Sequence, residues 1–236
     1  MDIQPIIHFL KGIRENNNRD WFQAHKSEFN DCRKEFEEGI AQLILRISAF
    51  DKEIANQRAA DCIYRFYRDL RFTQDKTPYK RHFGAYICQK GRKSLRGGYY
   101  VHIEPDKCLL AGGCYYLPNN ILTACRNEIL ANSDEWLACV ANKKFVNLFG
   151  EPNKGTWDED EISEKGFGLS ALKTSPKGFP TDTPLLPYLR MKDYCCWKTV
   201  PESFFASNNW IEQAAEIFQT AKPMADFINA VVDDYL

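Results

Sequence analysis

The sequence contains no long hydrophobic run. No stretch approaches the roughly 18 consecutive apolar residues that a membrane-spanning helix needs, and residues 1–10 combine neither a basic start nor a long apolar segment. We therefore expect no membrane span and no signal peptide. Hydrophobic residues still make up 44% of the 236-residue chain and aromatic residues 14%. That is enough to build a packed core, and it excludes disorder as the main state.

Recognisable catalytic and cofactor motifs are also missing. The chain has no H-E-x-x-H, no Cys-His zinc spacing, no Walker loop, no G-x-S-x-G elbow and no G-x-G-x-x-G opening a helix. We predict no metal site and no cofactor from such patterns. Its four histidines lie apart along the chain, at positions 8, 25, 82 and 102. The acidic residues 158–161 have the chemistry for a divalent cation, but acidic loops are more often simply solvated.

The nine cysteines do not form a disulfide framework. Their number is odd, no pair is spaced as C-x-x-C, and most have apolar neighbours. Secreted proteins of this size more often carry an even, regularly spaced set. The pattern predicts reduced, mostly buried thiols and a cytoplasmic protein.

Hydrophobic spacing divides the chain into segments. Residues 1–50 follow the helical period. Residues 61–116 carry the basic signature and are predicted to contain strands, among them residues 62–67, 83–89 and 98–104, and residues 118–141 are helical again. Residues 150–200 form an irregular segment with a possible strand at its end, and residues 203–236 are helical with an expected break at Pro223. The pair Gly112-Gly113 indicates a bulge or a close backbone approach.

The order of these segments predicts a fold class. Strands and helices are grouped rather than alternating, which is typical of α+β proteins. We expect residues 1–236 to form a single α+β domain, with an antiparallel sheet of four to six strands packed by the N- and C-terminal helices.

Positive charge is concentrated in one window. Residues 64–100 contain ten Lys or Arg and only two acids, a net +8 within a chain of net charge -1. Nine aromatic residues interleave these bases. A field of this kind attracts phosphate, carboxylate or a nucleic-acid backbone, and arginine binds phosphate and carboxylate through two parallel hydrogen bonds.

Two short pieces of this window supply the candidate site. The first repeats arginine at three-residue spacing around an aspartate, and the second is a turn with Pro78. The candidate ligand-binding residues are Arg65, Arg68, Asp69, Arg71, Asp75, Lys76, Tyr79 and Lys80. The same residues are equally compatible with a structural Arg–Asp network that fixes the loop.

The pattern Arg65-x-x-Arg68-Asp69-x-Arg71-Phe72, followed by residues 75–80, resembles the signature of a bacterial family known as domain of unknown function 2461. Further similar pieces lie along nearly the whole chain, at residues 9–10, 16–17, 21–22, 98–100, 111–113, 173–179 and 189–192. The resemblance implies a bacterial protein of one domain of about this length. It implies no reaction and assigns no catalytic residue.

Three classes of function follow from these observations. The first hypothesis is a binding protein for an anionic small molecule that carries phosphate or carboxylate. The second is an enzyme acting on such a ligand, with Tyr79, Asp69 or His82 as proton carriers. The third is a nucleic-acid or protein interaction module, and the isoelectric point near 6.4 disfavours nucleic acid. Nothing in the sequence predicts an oligomeric state.

Overall fold

The computed structural model describes residues 1–71, 73–153 and 163–236. Phe72 and the acidic residues 158–161 lie outside the described residues. Within the described part, helices and a five-stranded antiparallel sheet confirm the α+β class and the expected four to six strands. None of the described helices is long and apolar enough to cross a membrane.

The first fifty residues are helical, as expected, but they contain three helices. These are α1 (Ile3–Glu15), α2 (Arg19–Ala24) and α3 (Lys26–Ile47). Asn18 caps α2 by accepting a hydrogen bond from the Trp21 amide at 2.9 Å. His25 separates α2 from α3, and its ring stacks on Trp21 with 3.9 Å between the ring centroids. A single turn of 3-10 helix (Lys52–Ile54) and the short α4 (Ala59–Cys62) complete this region.

The sheet has the order β1-β2-β3-β5-β4. Its strands are β1 (Phe83–Ile87), β2 (Gly98–Ile103), β3 (Cys108–Cys114), β4 (Lys165–Phe167) and β5 (Tyr194–Val200). The strand expected at residues 62–67 is wrong, because α4 includes Cys62 and residues 63–67 form only isolated bridges. Pro78, opposite this segment, accepts a hydrogen bond from the Arg68 amide but has no N–H to return one.

The remaining helices follow the hairpin of β2 and β3. They are α5 (Asn119–Ala131), α6 (Ser133–Val140), α7 (Lys143–Phe149), α8 (Leu186–Leu189), α9 (Glu202–Ala206) and α10 (Trp210–Asp233). The strand expected at the end of the irregular segment is present as β5.

The break expected at Pro223 is wrong, because α10 continues through it. A proline inside a helix costs about 3 kcal/mol. Around Pro223, however, Ala221, Met224, Phe227 and Ile228 are all buried. Burying a single large apolar side chain contributes about 1.5–3 kcal/mol, so the buried face of the helix outweighs the lost hydrogen bond.

The chain divides into two compact units. The first consists of Met1–Arg92, Tyr100–Leu109 and Val200–Ala215. Its core contains an aromatic cluster of Phe9, Phe22, Phe29, Phe66, Tyr79 and Phe83. Every residue of the candidate site belongs to this unit.

The second unit consists of Lys93–Tyr99, Leu110–Thr199 and Glu216–Leu236. The buried Trp136 is central to it, with Tyr188, Tyr194 and Phe227 packed within 5.7 Å between ring centroids. Across the whole chain all nine cysteines are free thiols, and only Cys139 is not fully buried.

Candidate functional site

The candidate site lies on a loop anchored by aromatic packing. Residues 64–80, called the basic loop below, place Phe66 and Tyr79 in the aromatic cluster of the first unit. The Tyr79 ring stacks on Phe22 with 4.1 Å between centroids. Asn17, beyond the end of α1, accepts from the Tyr79 amide at 3.0 Å and donates to the Tyr79 carbonyl at 2.9 Å. The packing of Phe66 near one end and of Tyr79 near the other therefore anchors the basic loop to the core of the first unit.

Backbone hydrogen bonds join the two arms of the basic loop. The Arg68 amide donates to the Pro78 carbonyl at 3.0 Å, and the Lys80 amide donates to the Phe66 carbonyl at 2.8 Å. Tyr64 donates to the carbonyl of Gly84 in β1 at 2.9 Å. The loop is therefore attached through Tyr64 to β1, at the edge of the sheet.

Arg68 organises the turn between these arms. Its guanidinium donates to the Asp75 carboxylate and to the hydroxyl and carbonyl of Thr77. Asp75 also accepts from the Thr77 amide at 2.9 Å, and hydrogen bonds from Thr77 and Arg68 lower the pKa of Asp75 to about 2. Arg68, Asp75 and Thr77 thus form a mutually satisfied network, as the structural alternative predicted for part of the cluster.

Asp69 forms a second, more exposed group. Its carboxylate accepts from the Arg71 side chain at 2.6 Å and from the Arg71 amide at 3.2 Å. These bonds, with a weaker contribution from Arg65, hold the pKa of Asp69 well below its usual range. The Arg65 guanidinium lies 3.8 Å from the same carboxylate, and the side chains of Arg65 and Arg71 are 67% and 76% exposed. Asp69 therefore orders two arginines whose side chains are largely exposed.

Lys76 and Tyr79 differ in accessibility. The Lys76 ammonium donates to the Leu70 carbonyl at 2.9 Å and is exposed. Tyr79 is buried, and burial followed by the proximity of Tyr67 raises its pKa. Tyr79 therefore packs in the core as a neutral phenol at neutral pH.

Lys80 is the most unusual cation of the set. Its ammonium lies 4.9 Å from the centroid of the Tyr64 ring, and the side chain is half-buried. Among the residues that the structure describes, Lys80 forms no ion pair. Burial lowers its pKa, and the nearby charges of Arg65 and Arg92 lower it further. Lys80 therefore lies within electrostatic range of two arginines, and no carboxylate among the described residues pairs with it.

Arg92, the second arginine whose charge acts on Lys80, directly follows a turn. It follows Lys90 and Gly91, which both have positive φ, at 65° and 81°. Its guanidinium donates to the main-chain carbonyl of Asp61. A carbonyl oxygen removes no net charge, so Arg92 keeps its full positive charge beside Lys80.

The polar face of β2 adds a feature that sequence analysis did not assemble. Tyr100, His102 and the following Glu104 lie on one face because side chains alternate along a strand. The Tyr100 hydroxyl is 2.9 Å from Nδ1 of His102, and Nε2 of His102 is 3.1 Å from Glu104. The His82 ring packs against His102 in a tilted arrangement, with 4.3 Å between the ring centroids. The alternation of polar residues at positions 100, 102 and 104 was the signal in the sequence that could have predicted this group, but nothing in the sequence placed His82 beside it.

The three candidate proton carriers have different neighbours. Asp69 is held by Arg71, Tyr79 packs against Phe22, and His82 packs against His102. Burial, with smaller effects from His102 and Lys80, lowers the pKa of His82 to about 2, so its ring is neutral at pH 7.

Comparison with known proteins identifies the family. A family model described as "Conserved hypothetical protein (DUF2461)" matches residues 5–227, and the chain belongs to this family. No curated protein and no solved structure matches the chain.

Proposed function

We propose that this member of the DUF2461 family binds a small anionic ligand, bearing phosphate or carboxylate, at Lys80 and Arg65 with support from Arg92. The observation that carries the proposal is the half-buried Lys80 ammonium, which has no ion pair among the described residues and lies beside two further cations. A partly desolvated charge is costly unless an opposite charge neutralises it. An anion bound there relieves the repulsion among the three cations.

The rest of the predicted set has a positioning role in this proposal. The Arg68–Asp75–Thr77 network and the Asp69–Arg71 pair shape the basic loop. Asp69 orients the Arg65 guanidinium from 3.8 Å while leaving it exposed. A guanidinium held in this way is suited to bind phosphate or carboxylate through two donors. The bacterial cytoplasm, where reduced thiols persist, is the compartment that we propose.

The binding test is a thermal-shift titration of the whole chain with inorganic phosphate, pyrophosphate, citrate and a short single-stranded oligonucleotide. Each is compared with potassium chloride of equal ionic strength, which reproduces general screening. A bound ligand stabilises the fold by RT ln(1 + [L]/Kd), or about 2.7 kcal/mol at a hundredfold excess over Kd. We expect phosphate or carboxylate ligands to raise the melting temperature in a saturable manner.

Two variants localise the site. Lys80→Met keeps the length of the side chain and removes its charge, and Arg65→Gln removes the other principal donor. Each is expected to weaken binding at least about tenfold, since a charged hydrogen bond contributes about 1.5–3 kcal/mol. Lys34→Met is the matched control, because Lys34 is an exposed lysine on α3 beside Glu38.

The outcomes separate the remaining functions. If no small anion stabilises the wild type more than Lys80→Met, the proposal is wrong and the cluster is structural. Stabilisation by the oligonucleotide alone would instead assign the surface to nucleic acid.

A further inference from the structure

We propose that His82, His102 and Glu104 form a binding site for a divalent transition-metal ion, with Tyr100 positioning His102. The three side chains are half-buried, and one ligand atom from each lies within 4.8 Å of the others. Two imidazoles and one carboxylate are a common protein ligand set for zinc and for non-haem iron.

The strands explain why these residues meet. His82 directly precedes β1, His102 lies in β2, and Glu104 directly follows β2. β1 and β2 are neighbours in the sheet. Because residues two apart on a strand point to the same face, His102 and Glu104 share a face, and the His82 ring packs against the His102 ring in a tilted arrangement. One ligand of the site therefore lies within a strand, and the other two lie directly beside the ends of neighbouring strands.

The distances suit a shared ion. Two ligands bound tetrahedrally at about 2.0–2.1 Å from zinc are separated by roughly 3.3 Å. His102 Nε2 and the Glu104 carboxylate are already 3.1 Å apart. Since all three ligand atoms lie within 4.8 Å of one another, a shift of the His82 ligand atom by about 2 Å or less completes the set.

Tyr100 supplies the outer support that such a site requires. Its hydroxyl is 2.9 Å from Nδ1 of His102. A histidine bound to metal through one ring nitrogen usually donates the other N–H to an oxygen, which fixes the orientation of the ring. Gly84 in β1 makes room for this hydroxyl, because a Cβ at position 84 would lie 2.8 Å from it.

The ligand set also predicts selectivity. Imidazole prefers zinc and neighbouring transition metals, whereas magnesium and calcium prefer oxygen ligands. A set of two histidines and one carboxylate leaves at least one coordination position for water or an anion. The positive charge of Lys80 acts on His82, so the two proposed sites lie within electrostatic range of each other. The metal site does not depend on an anion bound at Lys80.

The test is isothermal titration of the metal-stripped, reduced protein with Zn²⁺ and, separately, with Mg²⁺, in buffer without phosphate or chelator. We expect one Zn²⁺ per chain and no comparable binding of Mg²⁺. His82→Gln, His102→Gln and Glu104→Gln are each expected to weaken Zn²⁺ binding by more than about tenfold, and Tyr100→Phe by about tenfold. His8→Gln, at an exposed histidine of α1, is the matched control and is expected to bind as the wild type does.

Cobalt distinguishes this site from the nine cysteines. Co²⁺ at His82, His102 and Glu104 gives visible d–d bands without the near-ultraviolet charge-transfer band of a thiolate ligand. A thiolate band would place the metal on cysteine and overturn the proposal. So would the absence of saturable Zn²⁺ binding, equal binding of Mg²⁺, or wild-type affinity in the three ligand variants.

Two controls keep the outcome clear. If a histidine variant fails to fold by circular dichroism, Glu104→Gln and Tyr100→Phe still decide the question, because they scarcely change side-chain shape. Lys80→Met is expected to retain Zn²⁺ binding while losing the anion. Failure of the metal site is therefore distinguishable from failure of the anion site.

Discussion

Gly113 in β3 is a position where the backbone tolerates no side chain. Its φ is +100°, a conformation that residues with a Cβ rarely adopt. A Cβ placed there would lie 2.1 Å from the carbonyl oxygen of Tyr194 in β5 and 2.7 Å from the methyl carbon of Met224. The first contact is with backbone, so it cannot be relieved by rotating a side chain.

The cost of Gly113→Ala has two parts. Positive φ costs an L-residue about 1–2 kcal/mol. Forcing extra atoms into a packed site typically costs a further 1–3 kcal/mol or so, and here the two strands must separate by about 1 Å to accept the methyl group. We expect a loss of about 3 kcal/mol or more in the free energy of unfolding.

Gly178→Ala separates these two parts. Gly178 also has positive φ, +86°, but no atom lies within 4 Å of a Cβ built there. It should therefore cost only the conformational part, about 1–2 kcal/mol. Urea unfolding followed by fluorescence of the five tryptophans measures both variants. If Gly113→Ala costs no more than Gly178→Ala, the packing argument is refuted.

The fold was predictable where one local pattern dominates. In β2, Tyr99, Val101 and Ile103 are buried and alternate with half-buried polar positions, as the sequence pattern predicts. The pair Gly112-Gly113 indicated a close backbone approach, which the contact with Tyr194 confirms. In both cases the signal depends on the residues themselves and on their immediate neighbours along the chain.

The fold was not predictable where tertiary packing outweighs local preference. Pro223 is a helix breaker in isolation, yet α10 continues because its neighbours are buried. The segment at residues 62–67 has the composition of a strand. It forms only isolated bridges, from Ile63 to Ala85 and from Tyr67 to Tyr79, and Pro78, opposite Arg68 just beyond the segment, has no N–H with which to extend the pairing. Neither outcome depends on information contained within the segment itself.

The candidate site was predictable as a charged region but not in its internal pairing. The net +8 of residues 64–100 does not distinguish a neutralised arginine from an unneutralised one. In the structure Arg68 is satisfied by Asp75, Arg71 by Asp69, and Arg96 by Asp233. The last pairing joins residues far apart in sequence, which composition cannot foresee. Lys80, by contrast, forms no ion pair among the described residues although it is half-buried.

Two further predictions concern carboxylates. Asp69→Ala should lower the urea midpoint of unfolding less than Arg68→Ala does. Asp69 and its arginine partners are largely exposed, whereas the Arg68 side chain is 25% exposed and donates to three acceptors. The reverse order would mean that Asp69 is the main anchor of the loop. Asp193 is buried and accepts hydrogen bonds from the amides of Leu169 and Ser170. Burial nevertheless raises its pKa to about 6, above the value of about 3.9 expected in the unfolded chain. Between these values the folded state holds a proton that the unfolded state has lost. This proton stabilises the folded state fully below about pH 4, and the stabilisation is lost as the pH rises through 6. The free energy of unfolding falls by about 3 kcal/mol over this range. Asp193→Asn does not titrate, so its stability relative to wild type should increase by about that amount between pH 4 and pH 7. A difference between the two proteins that stays constant over this range in urea unfolding would show that Asp193 remains ionised in the fold.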